Sequence, residues 1–314
     1  MKKISVVTPI YNEAESLPFL FEELNKALSR IGDFEIIAVN DGSKDSTESV
    51  LEEQAKKYPR LKVINFRANR GQSAAITAGI ENATGDVFVT IDSDLENDPA
   101  DISRLIEVLD SGYDVVSGWR QGRWAGSFIT RKLPSLTANK IISYITRVHL
   151  HDYGCILKAY RRSVIQDVRL YGEMHRFIPA YASWNGARVT EVPVNFRQRR
   201  FGQSKYGITR TFRVLLDLIV IKFMARYMNR PMHFFGGIGF FSGGLGLIAL
   251  VLAFILKFFD IRSFVDTPLP VFGALGVIVG VQLMTMGVIA EILMRTYYES
   301  QNKKPYSIKG MHNF

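Results

Sequence analysis

Two acidic residues spaced two apart carry the clearest chemical signal in the sequence. Asp92 and Asp94 follow a short apolar segment, and Glu96 comes two residues later. Side chains at i and i+2 of an extended segment point to the same side, so both carboxylates can approach one point. A hard divalent cation would remove their repulsion, and carboxylates with a substrate phosphate are a usual environment for Mg²⁺ or Mn²⁺. The spacing predicts a metal site. The alternative is a turn whose carboxylate caps the next helix, a role for which Asp98 is better placed.

Polar residues also follow two other apolar segments. The sequence PIYNE occupies positions 9–13, and NDGS occupies positions 40–43. In a parallel α/β sheet, ligands bind outside the carboxyl ends of the strands. Together with the acids at 92–96, these residues therefore predict one acidic, polar crevice. No phosphate-binding P-loop and no Gly-x-Gly-x-x-Gly motif follows a predicted strand, which argues against a P-loop NTPase and a dinucleotide-dependent dehydrogenase.

Basic residues are concentrated in two later segments of a chain whose formal net charge is +9. Residues 117–148 contain six Lys and Arg residues and no acid, and RRFGQSK occupies 199–205. Such segments can form a solvated basic face or bind nucleic acid, and a third possibility is anionic lipid headgroups or pyrophosphate. The neighbouring apolar segments favour the third. Asp152, a lone acid between His149 and His151, is either a helix cap or a catalytic carboxylate.

The elements that must position these residues alternate between strand and helix over the first 200 positions. Short apolar strands separated by helices of 10–15 residues predict βαβ units and an α/β fold with a mainly parallel sheet. The single cysteine, Cys155, excludes an intramolecular disulfide and indicates a reducing compartment. The predicted strands are 4–10, 34–40, 61–66, 87–91 and 114–118, and the predicted helices are 16–30, 46–58, 72–82 and 99–110.

Two long apolar segments near the C-terminus predict a transmembrane hairpin. Residues 234–256 carry no charge, and residues 268–290 carry only Gln282 as a strongly polar side chain. At about 1.5 Å per residue, each helix would reach roughly 34 Å, enough to cross a hydrocarbon core of about 30 Å. Glycines spaced four apart at 239 and 243 and at 276 and 280 would allow close helix packing, either within the hairpin or between subunits of a homo-oligomer.

The flanking charges predict the orientation of this hairpin. Lys and Arg are abundant before the first span and after the second, so the positive-inside rule places both termini in the cytoplasm. We therefore expect a multi-pass protein of the plasma (inner) membrane. Its predicted parts are a cytoplasmic catalytic domain at 1–210, amphipathic interfacial helices at 211–231, a hairpin at 232–293 and a cytoplasmic tail at 294–314.

The motifs, taken in order, resemble those of family 2 glycosyltransferases of the GT-A fold. The chain is most similar to the polyprenyl-phosphate subgroup, which includes dolichol-phosphate mannose synthases and bactoprenol glucosyltransferases. The resemblance covers the whole soluble part and implies a GT-A nucleotide-sugar-binding domain. The matching segments are VVTPIYNEAESL (6–17), VNDGSKDST (39–47), ANRGQSAAITAGI (68–80), IDSDLENDP (91–99), GWR (118–120), HDYGCILKAYRR (151–162) and VTEVPVNFRQRRFGQSKYG (189–207).

The resemblance implies a role for individual residues. Those expected to bind the nucleotide sugar are Pro9, Tyr11, Glu13, Asp41 and Asp92. The Asp-x-Asp motif implies that Mg²⁺ or Mn²⁺ is held by Asp92, Asp94 and Glu96. The residues expected to grip the acceptor phosphate are Arg120, Arg131 and Ser135. The residues expected at the reacting groups are Asp152, Arg199 and Lys205. Asp152 could orient the sugar, steer a neighbouring arginine or act as a base.

The implied reaction is inverting transfer of a hexose to the phosphate of a polyprenyl phosphate at the cytoplasmic membrane face. Glucose from UDP-glucose is the expected donor. GDP-mannose, UDP-GlcNAc and a UDP-aminoarabinose derivative are alternatives, as is a membrane adaptor that binds nucleotide sugar or lipid without catalysis. Two positions depart from the family pattern: Glu96 stands where relatives often have Gln, and Asn40 where many have Asp. The motif of processive polysaccharide synthases is missing, so a single transfer per cycle is favoured. The predicted hairpin and the acidic strand ends argue against nucleic acid as a partner.

Overall fold

The computed structural model describes residues 2–121, 139–140, 142–144, 146–165, 174–184, 186–198, 231–300 and 308–312. The chain divides into two compact units. Residues 1–210 and 304–314 form the first unit, and residues 211–303 form the second. The first contains an eight-stranded α/β sheet, and the second contains two long apolar helices.

The strands of the first unit are β1 (Ile4–Ile10), β2 (Phe34–Asn40), β3 (Leu61–Phe66), β4 (Val87–Thr90), β5 (Val115–Arg120), β6 (Lys158–Arg161), β7 (Val189–Val194) and β8 (Ile308–His312). Its helices are α1 (Leu17–Leu28), α2 (Thr47–Lys57), α3 (Gln72–Glu81), α4 (Ile102–Asp110), α5 (Arg162–Ile165) and α6 (Ile178–Trp184). Short 3-10 turns at Pro99–Asp101 and Met174–Phe177 precede α4 and α6. The second unit contains α7 (Pro231–Phe258) and α8 (Leu269–Ser300).

The strand order of the sheet is β7-β5-β6-β4-β1-β2-β3-β8. Strands β1 to β4 pair in parallel, so their carboxyl ends lie at one edge. Strand β6 is antiparallel to both β4 and β5, and its first residue, Lys158, pairs with Thr90 and Ser117. The carboxyl end of β5 and the start of β6 therefore belong to the same edge as the ends of β1 to β4.

Apolar side chains cover both faces of the sheet. All seven residues of β1 and all seven of β2 are buried, as expected for parallel strands covered on two sides. Leu20 and Phe21 of α1 pack with Leu105 of α4 in the core on one face, whereas Ala75 of α3 packs with Ile178 of α6 in the core on the other. The sheet is thus held between two helical layers, and its carboxyl edge is left for ligands.

The predicted elements are confirmed where apolar strands and helices alternate. Strands β1 to β3 have the predicted bounds, β4 ends at Thr90 rather than residue 91, and β5 runs two residues further than expected. The predicted α/β fold with a mainly parallel sheet is confirmed. Sequence analysis missed β6 to β8. Strand β6 has only four residues, and β7, an edge strand, contains Pro193, which is tolerated at a sheet edge.

Both predicted apolar segments are helical. Helices α7 and α8 are long and apolar enough to cross a membrane, and only 17% of the most apolar stretch of each is buried. The two helices pack closely through glycine. A Cβ added at Gly239 would lie 2.7 Å from the carbonyl oxygen of Gly280, and one added at Gly276 would lie 3.0 Å from the Cα of Gly246. The glycines noted in the sequence therefore serve packing within the hairpin.

Three boundaries need comment. The predicted interfacial segment, 211–231, lies outside the described residues apart from its last residue, at which α7 begins. Helix α8 continues to Ser300, ten residues beyond the predicted span. Within the predicted tail, β8 pairs antiparallel with β3, so this part of the chain is an edge strand of the catalytic sheet.

Candidate functional site

Two loops at the carboxyl edge are tied together by hydrogen bonds. The Asn12 amide donates to Ser43 Oγ at 2.9 Å, and the Lys44 amide donates to Asn12 Oδ1 at 2.8 Å. Asn12 has a φ of 54°, a left-handed conformation that asparagine tolerates better than most residues. The Glu13 amide donates to Thr47 Oγ1 at 3.1 Å. The segments 9–13 and 40–43, predicted to converge, therefore do so.

The carboxylate of Asp41 joins the end of β2 to the loop that follows β3. One oxygen accepts the Arg70 amide at 2.6 Å, and the other accepts the Gly71 amide at 2.8 Å. Burial raises the pKa of Asp41, although both amides oppose this shift. Each carboxylate oxygen retains a further lone pair for a ligand. Asp41 is thus fixed in place at the edge where sequence analysis expects the nucleotide.

A glycine is required at position 42 because the loop that follows β3 lies very close to it. Its φ is 65°, and a Cβ at this position would lie 2.5 Å from the backbone carbonyl carbon of Ala68. The neighbouring Asn40 joins β2 to β3 and to the loop that follows β2. Its Nδ2 donates to Asn65 Oδ1 at 3.0 Å, and its Oδ1 accepts the Ser43 amide at 3.0 Å. Asn40, the residue that departs from the family pattern, thus both donates and accepts a hydrogen bond at this edge.

The acidic segment after β4 lies at the centre of the edge. Asp92 Oδ1 accepts a hydrogen bond from Gln72 Nε2 at 2.7 Å, and Asp94 Oδ1 accepts the Glu96 amide at 3.1 Å. Burial, followed by the charge of Asp94, raises the pKa of Asp92 to about 7, while Arg120 opposes the shift. The negative charges of this segment are therefore concentrated in one place. Asp98 caps the following 3-10 turn by accepting the Ala100 amide, as predicted.

This donor set fits a hard divalent cation. All candidate ligands are carboxylate oxygens, the type that Mg²⁺ and Mn²⁺ prefer, and their mutual repulsion is what a cation would relieve. Among the described residues, no three His, Cys, Asp or Glu side chains form a metal-binding group. Asp92, Asp94 and Glu96 therefore do not form a complete three-ligand set by themselves. Such an incomplete set suits a metal that is also bound by substrate phosphate and water.

Arg120 and Asp152, assigned by sequence to different groups, form one ion pair. Arg120 Nε lies 2.7 Å from Asp152 Oδ2, and Arg120 Nη2 lies 3.0 Å from Oδ1. Burial lowers the pKa of Arg120, but the Asp152 charge outweighs this effect and raises it above its ordinary value. Asp152 also accepts the Gly154 amide. Of the alternatives for Asp152, orientation of a neighbouring arginine is the one that this geometry supports.

Four further polar residues near the edge were missed by sequence analysis. Gln72, the first residue of α3, holds Asp92, and the next residue, Ser73, pairs with the buried His175 at 2.9 Å. Lys158 is 1% exposed and interacts electrostatically with Asp92 and Asp152. A lone lysine in the apolar segment CILKAY is a signal that could have identified this position. His175 offers no comparable pattern.

The remaining predicted residues divide into two groups. Pro9 lies close to the acidic segment, because Ser93 Oγ donates to the Pro9 carbonyl oxygen at 3.3 Å. Tyr11 follows directly after β1. Four predicted acceptor and catalytic residues lie outside the described residues, namely Arg131, Ser135, Arg199 and Lys205.

Comparison with known proteins identifies the family. Residues 5–169 match the Glycosyl transferase family 2 model. The dodecaprenyl-phosphate galacturonate synthase of Rhizobium johnstonii is 41% identical, with 98% of this chain and 92% of that protein covered. The undecaprenyl-phosphate 4-deoxy-4-formamido-L-arabinose transferase of Aeromonas hydrophila is 35% identical, with 98% and 93% covered.

A solved structure confirms the fold. Glucosyl-3-phosphoglycerate synthase from Mycobacterium tuberculosis, in complex with Mn²⁺, UDP-glucose and phosphoglyceric acid, superimposes with a TM-score of 0.56 over 71% of this chain and 79% of that chain, at 17% sequence identity. At this identity, the likeness concerns the fold. With the family match over more than half of the sequence and the two relatives aligned along nearly its whole length, the chain belongs to glycosyl transferase family 2.

Proposed function

We propose that this glycosyltransferase moves a sugar from a nucleotide donor onto the phosphate of a polyprenyl phosphate. The observation that carries the proposal is the pairing of opposite charges at one sheet edge. The Asp92 carboxylate, after β4, interacts electrostatically with Arg120 at the end of β5. The acids suit a metal-bound diphosphate, and the arginine suits a phosphate acceptor. The names of the relatives in Rhizobium johnstonii and Aeromonas hydrophila, which both act on polyprenyl phosphates, support the acceptor class.

The relatives change the preferred sugar. Sequence analysis expected glucose from UDP-glucose, whereas the names of the two relatives specify galacturonate and 4-deoxy-4-formamido-L-arabinose. We therefore rank a uronic acid first and a 4-formamido or 4-amino pentose second, both ahead of glucose. The alignment at 41% identity supports this ranking, because it covers 98% of the chain and so extends over the strand ends that line the edge as well as the core.

The acidic segment acts on the donor. Asp41 and the loop around Tyr11 and Glu13 are proposed to hold the nucleotide, with Asp92 and Asp94 directed to the diphosphate. A divalent cation held by these two carboxylates would neutralise charge on the leaving nucleoside diphosphate. Arg199 and Lys205 are proposed to add fixed positive charge on the same leaving group.

The basic residues act on the acceptor. Two nitrogens of Arg120 are held by Asp152, and Nη1 has no hydrogen-bond partner among the described residues. We propose that Nη1 binds an oxygen of the acceptor phosphate, with Arg131 and Ser135 as further ligands. A phosphate monoester is ionised at pH 7, so its oxygen can attack the anomeric carbon without a general base. The attack inverts the configuration as the nucleoside diphosphate leaves. Asp152 therefore positions Arg120 rather than removing a proton.

The membrane location follows from the acceptor, which does not leave the bilayer. Helices α7 and α8 are proposed to cross the plasma (inner) membrane twice, leaving the catalytic unit and both termini in the cytoplasm. Large apolar side chains along them are exposed, for example Phe240 at 76% and Phe254 at 65%. The basic segments on either side of the hairpin support the orientation. Anchoring would keep the site near its acceptor.

A donor screen tests the proposal. Purified full-length protein in detergent is mixed with polyprenyl phosphate, Mg²⁺ or Mn²⁺, and one radiolabelled donor: UDP-galacturonic acid, a UDP-4-formamido-arabinose, UDP-glucose, UDP-GlcNAc or GDP-mannose. We expect lipid-linked sugar from the first or second donor, and none after chelation. Asp94→Asn should abolish the product, whereas the control Asp98→Asn, in the same loop, should retain it. Donor binding without any lipid-linked product would favour a non-catalytic adaptor and reject the proposal.

A further inference from the structure

One buried cation at the catalytic edge has no role in the mechanism described above. Lys158 begins β6, where it pairs with Thr90 on one side and Ser117 on the other, and it is 1% exposed. Among the described residues, no carboxylate lies within ion-pair distance of its ammonium group. Burial lowers the pKa of Lys158 to about 8. A buried charge without an ionic partner is costly, so this residue needs a specific explanation.

The ammonium of Lys158 contacts the loop that carries Asp152. Its Nζ donates to the carbonyl oxygen of Cys155 in a short hydrogen bond and to that of Tyr153 at 3.4 Å. Lys158 thereby provides a hydrogen-bond donor to two backbone carbonyl oxygens of this loop. They also fix the two residues that flank Gly154, whose amide donates to Asp152.

The far end of the loop is attached to the sheet by neutral groups. Thr90 Oγ1 donates to the carbonyl of Ile156 at 2.6 Å, and the Gly118 amide donates to that of Leu157 at 2.9 Å. Next to Asp152, the loop is held on one side by Glu191, which accepts the His151 amide at 2.8 Å, and on the other side by Lys158. A chain of direct contacts therefore runs from Lys158 through the 153–155 backbone and Asp152 to Arg120.

We propose that Lys158 is a positioning residue for sugar transfer: by holding the 153–155 backbone, it sets the orientation of Asp152 and, through it, the Arg120 guanidinium. This inference rests on the proposed function, because its consequence for rate is the placement of the acceptor phosphate. A displacement of about 1 Å in a reacting group can cost on the order of 10²-fold in rate. The loss should fall on kcat and on the KM for polyprenyl phosphate, with the KM for the nucleotide sugar unchanged.

Arg161 provides a matched control. It is the last residue of the same strand and donates to two backbone carbonyls, those of Tyr113 and Leu109, at the opposite end of the strand. Lys158→Met and Arg161→Met each remove a cation that holds backbone. If both residues serve only the fold, the two variants should lose thermal stability and keep turnover per folded molecule.

The test compares these variants in the full-length protein with the donor that the screen identifies. We expect Lys158→Met to reduce kcat/KM for the lipid by about 10²-fold, Lys158→Arg to recover part of it, and Arg161→Met to stay within about twofold of wild type. Equal turnover in the two Met variants would overturn the inference. If Lys158→Met does not fold, Lys158→Gln, which keeps an N–H donor, replaces it. Wild-type kinetics in both Lys158→Gln and Lys158→Arg would also overturn the inference.

Hydrogen exchange separates this inference from the proposed function. The amide of Gly154 should exchange faster in the Lys158 variant than in wild type, and unchanged protection there would contradict the positioning role. This readout needs no substrate. A wild-type protein that transfers none of the donors would instead reject the proposed function while leaving the exchange result interpretable.

Discussion

The ion pair between Arg120 and Asp152 leads to a prediction about stability and activity together. Arg120 has only 3% of its side chain exposed, and Asp152 has 13%. At an effective dielectric constant of about 20, two unit charges 4 Å apart attract by about 4 kcal/mol. Removing one partner of a buried pair typically costs about 3–5 kcal/mol, because the other charge remains buried and unpaired. We therefore expect Asp152→Asn to destabilise the protein by about 3 kcal/mol.

A double-mutant cycle measures this coupling. The variants are Asp152→Asn, Arg120→Met and their combination, each made in the full-length protein and unfolded by heat in detergent. Since about 1 kcal/mol shifts the melting temperature of a domain of this size by about 2–4 °C, the Asp152→Asn variant should melt roughly 6–12 °C lower. The double variant contains neither charge. Its loss in the free energy of unfolding should be smaller than the sum of the losses in the two single variants by about 2–3 kcal/mol.

The same cycle tests whether Asp152 acts through Arg120. If it does, the turnover of the double variant should be no lower than that of the less active single variant. A general base working independently of the arginine would instead multiply the two losses. Additive stability changes within about 0.5 kcal/mol, or multiplied activity losses, would refute the positioning role assigned to Asp152.

Three further predictions concern the rest of the chain. Burial alone would raise the pKa of Glu35, but hydrogen bonds from Ser5, Thr84 and Lys62 lower it from 4.5 to about 2. Glu35→Gln should therefore reduce the free energy of unfolding by about 3 kcal/mol at pH 7. In thermal melts, the advantage of the wild type should be lost as the pH falls from 4.5 to 2. Gly42→Ala should lower the melting temperature and weaken donor binding measured by calorimetry, unlike Gly237→Ala, whose Cβ would meet nothing within 4 Å. In the hairpin, Gly280→Ala should lower thermal stability in detergent, whereas Gly244→Ala, also in open space, should not.

The sequence was sufficient for the elements whose pattern is local. Strands β1 to β3 are apolar segments bounded by turn residues, and their ends were predicted to the residue. Strand β6 escaped because its four residues include a lysine and an arginine, both of which are stabilised by backbone carbonyls that only the fold brings near. Strand β8 escaped because it pairs with β3, more than 240 positions earlier in the chain. Such long-range pairing produces no recognisable pattern in the local sequence.

The site divides in the same way. Asp92, Asp94 and Asp41 were identified because each follows a strand directly, and the topology of a parallel sheet then places them at one edge. The pairing of Arg120 with Asp152 was not predicted, since the two residues are 32 positions apart and were assigned to different tasks. The contact of Gln72 with Asp92 was missed for a similar reason. Residue types indicated which groups are present, but partners across the edge required the fold.

The position of β8 bears on how the chain is arranged in the membrane. Residues 1–210, before the hairpin, and the strand after α8 belong to the same unit, and β8 pairs with β3 in its sheet. A chain that crossed the bilayer an odd number of times between residues 231 and 300 would leave residues 308–312 on the side opposite to β3, where they could not pair with it. Two crossings by α7 and α8 satisfy this requirement. The strand pairing thus supports the proposed hairpin on grounds independent of the positive-inside rule, which depends only on the distribution of Lys and Arg.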